Sequence, residues 1–441
     1  MLAKPMLDDS YTKPEPKRRL WRWVVLVAVC ALAILCFYQS KHTQLEKLPL
    51  GSKTPYPLDN HCNDAVPAGM QLIQVQYLLR HGARYSTEGE MADIEYIYRL
   101  LDNQVPSSWI KPEMVDRNNA MRLSASGIYD TAALATQVYQ KYANLLEMRQ
   151  QPVPAIRFIS SEFQRSIATA NTFRSTIDPD NHTMPVSVIP LVNDTILAMK
   201  HNCMRWNMAK DDAAVDIQSE ISRFDSIYGA DIKRHVSKKL NIDLLSLDNI
   251  QTLYRMCGYD MSLLHQPLHW CSLFDYKTAE LLELRGDLTY SRKYGPDGSQ
   301  INSHLACALF SEIINDIDTA LRSTDSAVSV FRFAHAETIM FASNLLGLDQ
   351  MLGSYTKPVT GNMTYEQILH RGFRTSTLVP FSSNLGLELY MDQNAQPFFR
   401  LLLNGCAIRM PGCSKDVCPL GVLRSKLATD IGCIYNTMCQ L

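Results

Sequence analysis

The sequence predicts a wound α/β sheet with an inserted, mostly helical cap. Three observations predict it. An apolar, β-branched run over Gln71–Leu79 ends in Arg80-His81-Gly82-Ala83-Arg84. A second, Ala327–Ala334, ends in His335-Ala336-Glu337-Thr338. Around them strand-like and helix-like stretches alternate, as they do when helices cross between the strands of a wound sheet. Open sheets of this kind bind ligands just beyond the carboxyl ends of their strands, and both clusters lie at such ends.

The chain has 441 residues and a formal net charge of −1. That balance gives no global attraction to nucleic acid or to anionic membranes, so any polyanion must be bound by a local patch. Residues 1–19 read as a basic cytoplasmic tail, with Lys17, Arg18 and Arg19. Residues 20–38 are apolar apart from Arg22 and read as an uncleaved signal anchor, with the basic side cytoplasmic. A cleaved signal peptide is the alternative. Everything beyond is then lumenal or extracellular, in the secretory-pathway membrane or, after cleavage, secreted. Residues 39–60 carry Pro49, Pro55, Pro57, Gly51 and Ser52 and read as a stalk.

Twelve cysteines are present, and ten of them follow the apolar run. In a secretory compartment an even set suits disulfides, with Cys257/Cys271, Cys413/Cys418 and Cys433/Cys439 as the nearest pairs in sequence. Asn181, Asn193 and Asn362 stand in glycosylation sequons. No spacing of histidines and cysteines suggests a metal site, and no cofactor is called for. Oligomeric state is left open.

The folded domain is read as residues 61–441. After the Gln71–Leu79 strand, the apolar spacing of Ile128–Met148 predicts a helix. Ala155–Ser160 is a second strand, leading through Arg165 into a helix. Ser187–Leu191 is a third. From about 194 to 300 the pattern is helical and reads as the cap. Leu309, Phe310, Ile313, Ile314, Ile317 and Leu321 form a helical stripe, and Phe398–Leu403 is a late strand.

Three strand ends therefore supply Arg80, His81 and Arg84, then Arg165, then His335 and Glu337. Singly, these residues are a solvated loop, a surface arginine, a core histidine and a first-turn carboxylate. Together they are what phosphoryl chemistry requires: guanidinium forks for phosphate oxygens, an imidazole nucleophile and a carboxylic acid. Gly82 is read as allowing the backbone close to a ligand.

This set resembles the histidine acid phosphatase branch of the histidine phosphatase superfamily, whose core is phosphoglycerate mutase-like. The resemblance rests on Arg80 through Arg84, on Arg165 in its Ser-x-x-x-Arg setting and on His335. More narrowly the chain is similar to the multiple inositol polyphosphate phosphatases. That match rests on His335-Ala336-Glu337-Thr338, Met256 through Tyr259, Trp270 through Asp275, Ile301-Asn302-Ser303, Pro380 through Leu385 and Leu402-Leu403-Asn404. The resemblance implies that His81 attacks phosphorus and forms a phosphohistidine. Arg80, Arg84, Arg165 and His335 would hold the phosphoryl oxygens, and Glu337 would protonate the leaving alcohol. The cations should lower the pKa of His81, while bound phosphate should raise that of Glu337.

The implied substrates are inositol hexakisphosphate, lower inositol phosphates and, as a further candidate, 2,3-bisphosphoglycerate. Lys200, Arg205, Lys210, Lys233, Arg234, Lys238 and Lys239 in the cap are candidate contacts for such a small polyanion. The alternatives are a general acid phosphatase, a mutase on the same fold, and a catalytically silent type II surface glycoprotein that binds inositol phosphates or a protein partner.

Overall fold

The computed structural model of the protein describes residues 47–59, 62, 65–147, 156–178, 184–242, 245–265, 269–322, 329–430 and 432–440. The tail, the anchor and the Asn181 sequon lie outside these residues. Among the described residues no helix is long and apolar enough to cross a membrane.

The sheet grows outward from β1, Met70–Arg80. The other strands are β2 (Ile156–Ser161), β3 (Val186–Ile189), β4 (Ser329–Ala334), β5 (Asn384–Asp392), β6 (Pro397–Leu403), β7 (Cys406–Ile408) and β8 (Val417–Pro419). Their order is β3-β2-β4-β1-β5-β6-β7, with β8 also on β6. Strands β3, β2, β4 and β1 run parallel. From β5 outward every pairing is antiparallel. The wound half matches the sequence pattern, and the antiparallel half was legible only at β6. In the parallel half Arg80 stands opposite Ala334, so the residues that follow, His81 and His335, emerge side by side.

Helices α1 (Glu88–Leu100), α2 (Ala125–Glu147) and α3 (Gln164–Ile177) come from the first half of the chain. Next come α4 (Met204–Asp212), α5 (Ala214–Leu240), α6 (Leu247–Leu264) and α7 (Tyr276–Lys293), and then α8 (Cys307–Arg322) and α9 (Ala336–Leu346). The stretch read as a cap is thus helical. It is not set apart, because residues 48–441 form one unit and α6 packs on both α1 and α2.

Period-two alternation decides the two faces of β1. Val75, Tyr77 and Leu79 join Phe158, Phe331 and Phe333 in a core closed by Leu134 and Val138 of α2 and Phe173 of α3. Full burial of such side chains contributes roughly 1.5–3 kcal/mol each. Gln74 and Gln76 take the opposite face. The Gln76 amide donates to Gln74 Oε1 at 3.0 Å and to the Ile313 carbonyl of α8 at 3.2 Å. Its oxygen accepts from Arg332 at 2.8 Å, and Arg332 also reaches Glu312 and Asp316. The polar groups of Gln76 are thus partnered inside the sheet.

The stalk reading fails for residues 48–58. Leu48, Leu50, Ser52, Lys53 and Tyr56 are buried, and Gly51–Lys53 forms one 3-10 turn. The Tyr254 hydroxyl donates to the Pro49 carbonyl at 2.5 Å, and Ser52 Oγ lies 3.2 Å from the Tyr290 hydroxyl. The Phe381 amide donates to the Thr54 carbonyl at 2.9 Å. Composition suggested a linker, yet the partners that make it a strap lie on α6, α7 and the turn before β5.

Five disulfides join Cys62–Cys406, Cys203–Cys439, Cys257–Cys271, Cys307–Cys433 and Cys413–Cys418. Two of the three short-range pairs read from sequence are present. Cys433/Cys439 is not, because the C-terminal segment is stapled to two distant elements, α8 through Cys307 and the turn before α4 through Cys203. Asn193 and Asn362 are exposed.

Candidate active site

The end of β1 delivers His81 between the end of β4 and the turn before β5. The His81 amide donates to the Ala334 carbonyl at 3.1 Å, and the Ser382 amide donates to the His81 carbonyl at 3.2 Å. His81 and His335 are both buried, with ring centroids 5.8 Å apart. His81 Nδ1 lies 2.9 Å from the Gly82 carbonyl. A carbonyl only accepts, so Nδ1 carries the proton and Nε2 keeps the lone pair. That tautomer makes Nε2 the nucleophilic nitrogen.

Gly82 serves the loop rather than a ligand. A Cβ there would stand 2.7 Å from the Gly127 carbonyl and 2.8 Å from Thr131 Oγ1. The Gly82 amide is held by Thr169 at 3.1 Å, and Thr169 donates to the Arg165 carbonyl at 2.7 Å. The glycine lets the Arg80–Arg84 loop seat against α2 and α3, which fixes the nucleophile relative to Arg165.

Three guanidiniums gather here with incomplete partners. Arg80 is buried and donates to the Ser52 carbonyl at 2.7 Å and to the Val379 carbonyl, with its guanidinium 4.3 Å over the Phe381 ring. Arg84 donates to the Tyr85 carbonyl at 2.7 Å. Arg165 lies 4.7 Å over the Phe163 ring and 3.4 Å from His335 Nδ1. The buried Nε–H of each of the three has no hydrogen-bond acceptor. Burial first, and then Arg84, works against the charge on Arg80 and on Arg165. Leaving such donors unmet costs on the order of 1–3 kcal/mol each, more where the group is charged. The cluster therefore presents cationic donors with which an anion could pair.

Both histidines are kept neutral. Burial, then Arg165, Arg80 and Arg84, pushes His81 well below its ordinary value. Burial, then Arg165, pushes His335 to about 3. His335 Nδ1 accepts from Arg165, so its Nε2 donates to Ser161 Oγ at 3.0 Å. Ser161 ends β2, which is how a third strand contributes. His335 is also the N-cap of α9, and Glu337 stands in the first turn. Arg165 likewise lies in the first turn of α3. Arg165 and Glu337 thus each stand at a helix N-terminus.

Glu337 forms an ion pair with Lys200. Burial opposes its ionisation, but Lys200 and then His335 outweigh burial and hold the carboxyl below the usual carboxylate range. In the empty site Glu337 is therefore a carboxylate, and the expected upward shift requires a bound phosphate. Lys200 projects from the 3-10 turn Met199–Asn202. Of the other cap cations, Lys210 is half-buried over the same Trp206 ring as Lys200, and the rest are exposed. Arg205 donates to the Met438 carbonyl, Lys210 pairs with Asp211, Arg234 with Asp231, and Lys239 donates to the Ser272 carbonyl. Lys233 and Lys238 are exposed.

Sequence reasoning missed Lys53 and its surroundings. Lys53 pairs with Glu90 at 3.0 Å over the Tyr259 ring, with Arg84 and Arg80 among its charged neighbours. Burial pushes its ammonium down to about 8 against the pull of Glu90. Its sequence signal, one lysine in a Pro/Gly/Ser-rich stretch, does not separate a strap from a linker. Among the described residues no group of three or more His, Cys, Asp or Glu side chains is placed to hold a metal ion.

Comparison with known proteins agrees with this arrangement. Residues 71–404 match the model of the histidine phosphatase superfamily, branch 2. The chain is 25% identical over 397 residues to multiple inositol polyphosphate phosphatase 1 of Gallus gallus, covering 85% of each. It is 24% identical over 438 residues to a thiamine-repressible acid phosphatase of Schizosaccharomyces pombe, covering 89% of this chain and 90% of that one. The crystal structure of a Bifidobacterium longum multiple inositol polyphosphate phosphatase with inositol hexasulfate superposes with a TM-score of 0.67 at 16% identity, over 89% of this chain and 99% of that one. The fold, the arginine-flanked histidine and the family match converge: the chain belongs to branch 2 of the histidine phosphatase superfamily.

Proposed function

We propose that this protein hydrolyses phosphomonoesters of inositol polyphosphates, inositol hexakisphosphate included, through a phosphohistidine at His81. The observation that carries the reading is the lone-pair nitrogen of His81 set among the guanidiniums of Arg80, Arg84 and Arg165, each of which keeps a buried Nε–H unmet among the described residues. His81 Nε2 forms a bond to phosphorus as the ester P–O bond breaks. The departing alkoxide takes the proton of Glu337. Water then attacks phosphorus, Glu337 takes its proton, and the N–P bond breaks to release phosphate. Arg80, Arg84, Arg165 and His335 stabilise the equatorial oxygens, where such reactions develop charge.

Inositol polyphosphates are favoured because cations outnumber anions around His81. Lys53 and Lys200 add to the three arginines, against Glu90 and Glu337. The likeness to multiple inositol polyphosphate phosphatases points the same way, and 2,3-bisphosphoglycerate is a further polyanion to assay. The likeness to a yeast acid phosphatase favours a second reading, broad phosphomonoester hydrolysis, which a comparison of rates on inositol hexakisphosphate and simple monoesters decides. Five disulfides and exposed Asn193 and Asn362 support a domain outside the cytosol, held there by the anchor at 20–38. Enzymatic deglycosylation should lower its apparent mass.

The test of the acid is Glu337→Gln. An inositol alkoxide needs a proton to leave, whereas a nitrophenolate does not. The rate on inositol hexakisphosphate should fall roughly 10²–10⁴-fold, with a much smaller loss on nitrophenyl phosphate. Equal losses on both would remove Glu337 from the role.

A further inference from the structure

A general acid must carry a proton when substrate is bound, yet the empty site holds Glu337 as a carboxylate. The group responsible is Lys200, and its setting is specific. Its turn is fastened at several points. Thr338 donates to the Leu197 carbonyl at 2.6 Å, tying the turn to α9 beside Glu337. The Leu197 amide donates to Asp194 at 2.7 Å, and the Asn202 amide group donates to the Leu191 carbonyl at 2.7 Å. Tyr435 donates to the Met199 carbonyl, and the Cys203–Cys439 disulfide closes the far side. The backbone under Lys200 is thereby fixed.

The side chain is not fixed in the same way. Its ammonium lies 5.2 Å from the Tyr294 ring centre and 6.0 Å from that of Trp206, contacts that tolerate sliding. A lysine is a point charge on a flexible four-carbon stem. Its one carboxylate partner, Glu337, is itself an anion acting on Arg80, Arg84 and Arg165. The other titratable or charged groups facing Glu337 are His335 on α9, His201 on the Lys200 turn, Arg165 on α3, and Tyr290 and Tyr294 on α7. None of these is a second anion that could retain Lys200 once phosphate arrives.

We propose that Lys200 is an exchangeable counter-ion, holding Glu337 as a carboxylate in the empty site and moving to a phosphate of the arriving substrate. Glu337, released beside a new anion, takes a proton from solvent. Substrate binding thereby charges the acid that the leaving group will need. This rests on the reading of Glu337 as the proton donor, and it makes Lys200 a positioning residue that acts through Glu337. Two consequences differ from those of a purely structural lysine. Ligand binding is coupled to proton uptake at Glu337. In addition, loss of Lys200 removes the largest pull against burial, so the free enzyme keeps its acid protonated to higher pH.

The experiment is calorimetric titration of the whole protein with inositol hexakissulfate near pH 5, in two buffers of different ionisation enthalpy. Sulfate esters do not titrate there, so protons taken up belong to the protein. The histidines contribute equally to wild type and Glu337→Gln, and the difference between those proteins isolates Glu337. It should approach about one proton. In a Lys200→Met background the same difference should fall toward zero, and the alkaline limb of kcat/KM on inositol hexakisphosphate should move to higher pH. Lys200→Gln provides the same comparison if the methionine variant does not fold. Equal uptake by wild type and Glu337→Gln would overturn the proposal, as would an unchanged difference or limb without Lys200. The count needs no turnover, so it separates from the acid role. That role fails only if Glu337→Gln slows both substrates equally.

Discussion

Two buried arginine clusters in this protein obey opposite rules. Between α7 and the segment after Ile368, Arg371 meets Glu283 at 2.9 Å and Asp287 at 3.0 Å, with Glu280 at 3.5 Å. Arg374 meets Glu280 at 2.5 Å and Glu283 at 2.9 Å. At the end of β1, Arg80, Arg84 and Arg165 sit together with no carboxylate of their own among the described residues; an unmet Nε–H does not separate the clusters, since Arg371 keeps one too. The first cluster is closed and holds the fold. The second is open and waits for an anion. Burial of charge alone does not mark a functional site; burial of charge with its partners left out does.

The largest difference should appear on truncating one arginine of each. Arg371→Met strands Glu283 and Asp287 in the interior and should cost roughly 3–5 kcal/mol of stability by denaturant unfolding. Arg165→Met removes a cation from a crowd of cations, so stability should hold or rise slightly. Its kcat on inositol hexakisphosphate should nonetheless fall about 10²–10³-fold, the usual result of removing one charge-stabilising donor. Equal destabilisation by the two changes would erase the distinction between the clusters.

Filling the open cluster should then stabilise it. Inorganic phosphate at a hundred times its dissociation constant should contribute about 2.7 kcal/mol, read as a rise in Tm. Arg165→Met should show a much smaller rise at the same concentration. A chelator should change neither the Tm nor the rate, since the arginines already supply positive charge at the phosphoryl oxygens.

A smaller effect is set by pH. Burial, then Glu283, raises Asp287 to about 7, and burial raises Asp260 to about 7 and Asp130 to about 6. These groups keep protons in the folded state that the unfolded chain has already released above about pH 4. At these three groups the folded state binds more protons, so their contribution to stability falls as pH rises from about 4 toward 7, while His81 and His335, held neutral, contribute in the opposite direction. With Asp287 protonated, the closed cluster balances two arginines against two glutamates. The measurement is therefore a difference between proteins: as pH rises across that range, Tm should fall less, or rise more, for Asp287→Asn than for the unchanged protein.

How much of this was legible in the sequence follows from where the partners lie. β1 and β4 announced themselves because their apolar runs and the polar clusters ending them are contiguous. The fork of Arg80 and Arg84 around His81 was readable for the same reason. β5 was not, although it lies beside β1 at the centre of the sheet. Its Glu388 is buried against Arg400, Lys141 and Tyr142, and nothing within Asn384–Asp392 reveals those partners. The strap over residues 48–58 failed likewise, since Pro, Gly and Ser occur both in linkers and in packed turns. Lys200 was visible as a basic residue, but its pairing with Glu337 spans 137 positions.

The central claim is that His81 Nε2, left with its lone pair by the Gly82 carbonyl and set among unpaired arginines, carries the phosphoryl group. The direct measurement is rapid alkaline quench of the protein turning over inositol hexakisphosphate, followed by peptide mass spectrometry. The account predicts phosphate on His81, absent from His81→Ala, which should be inactive. Phosphate on another residue, or a His81→Ala protein that still turns over, would contradict it.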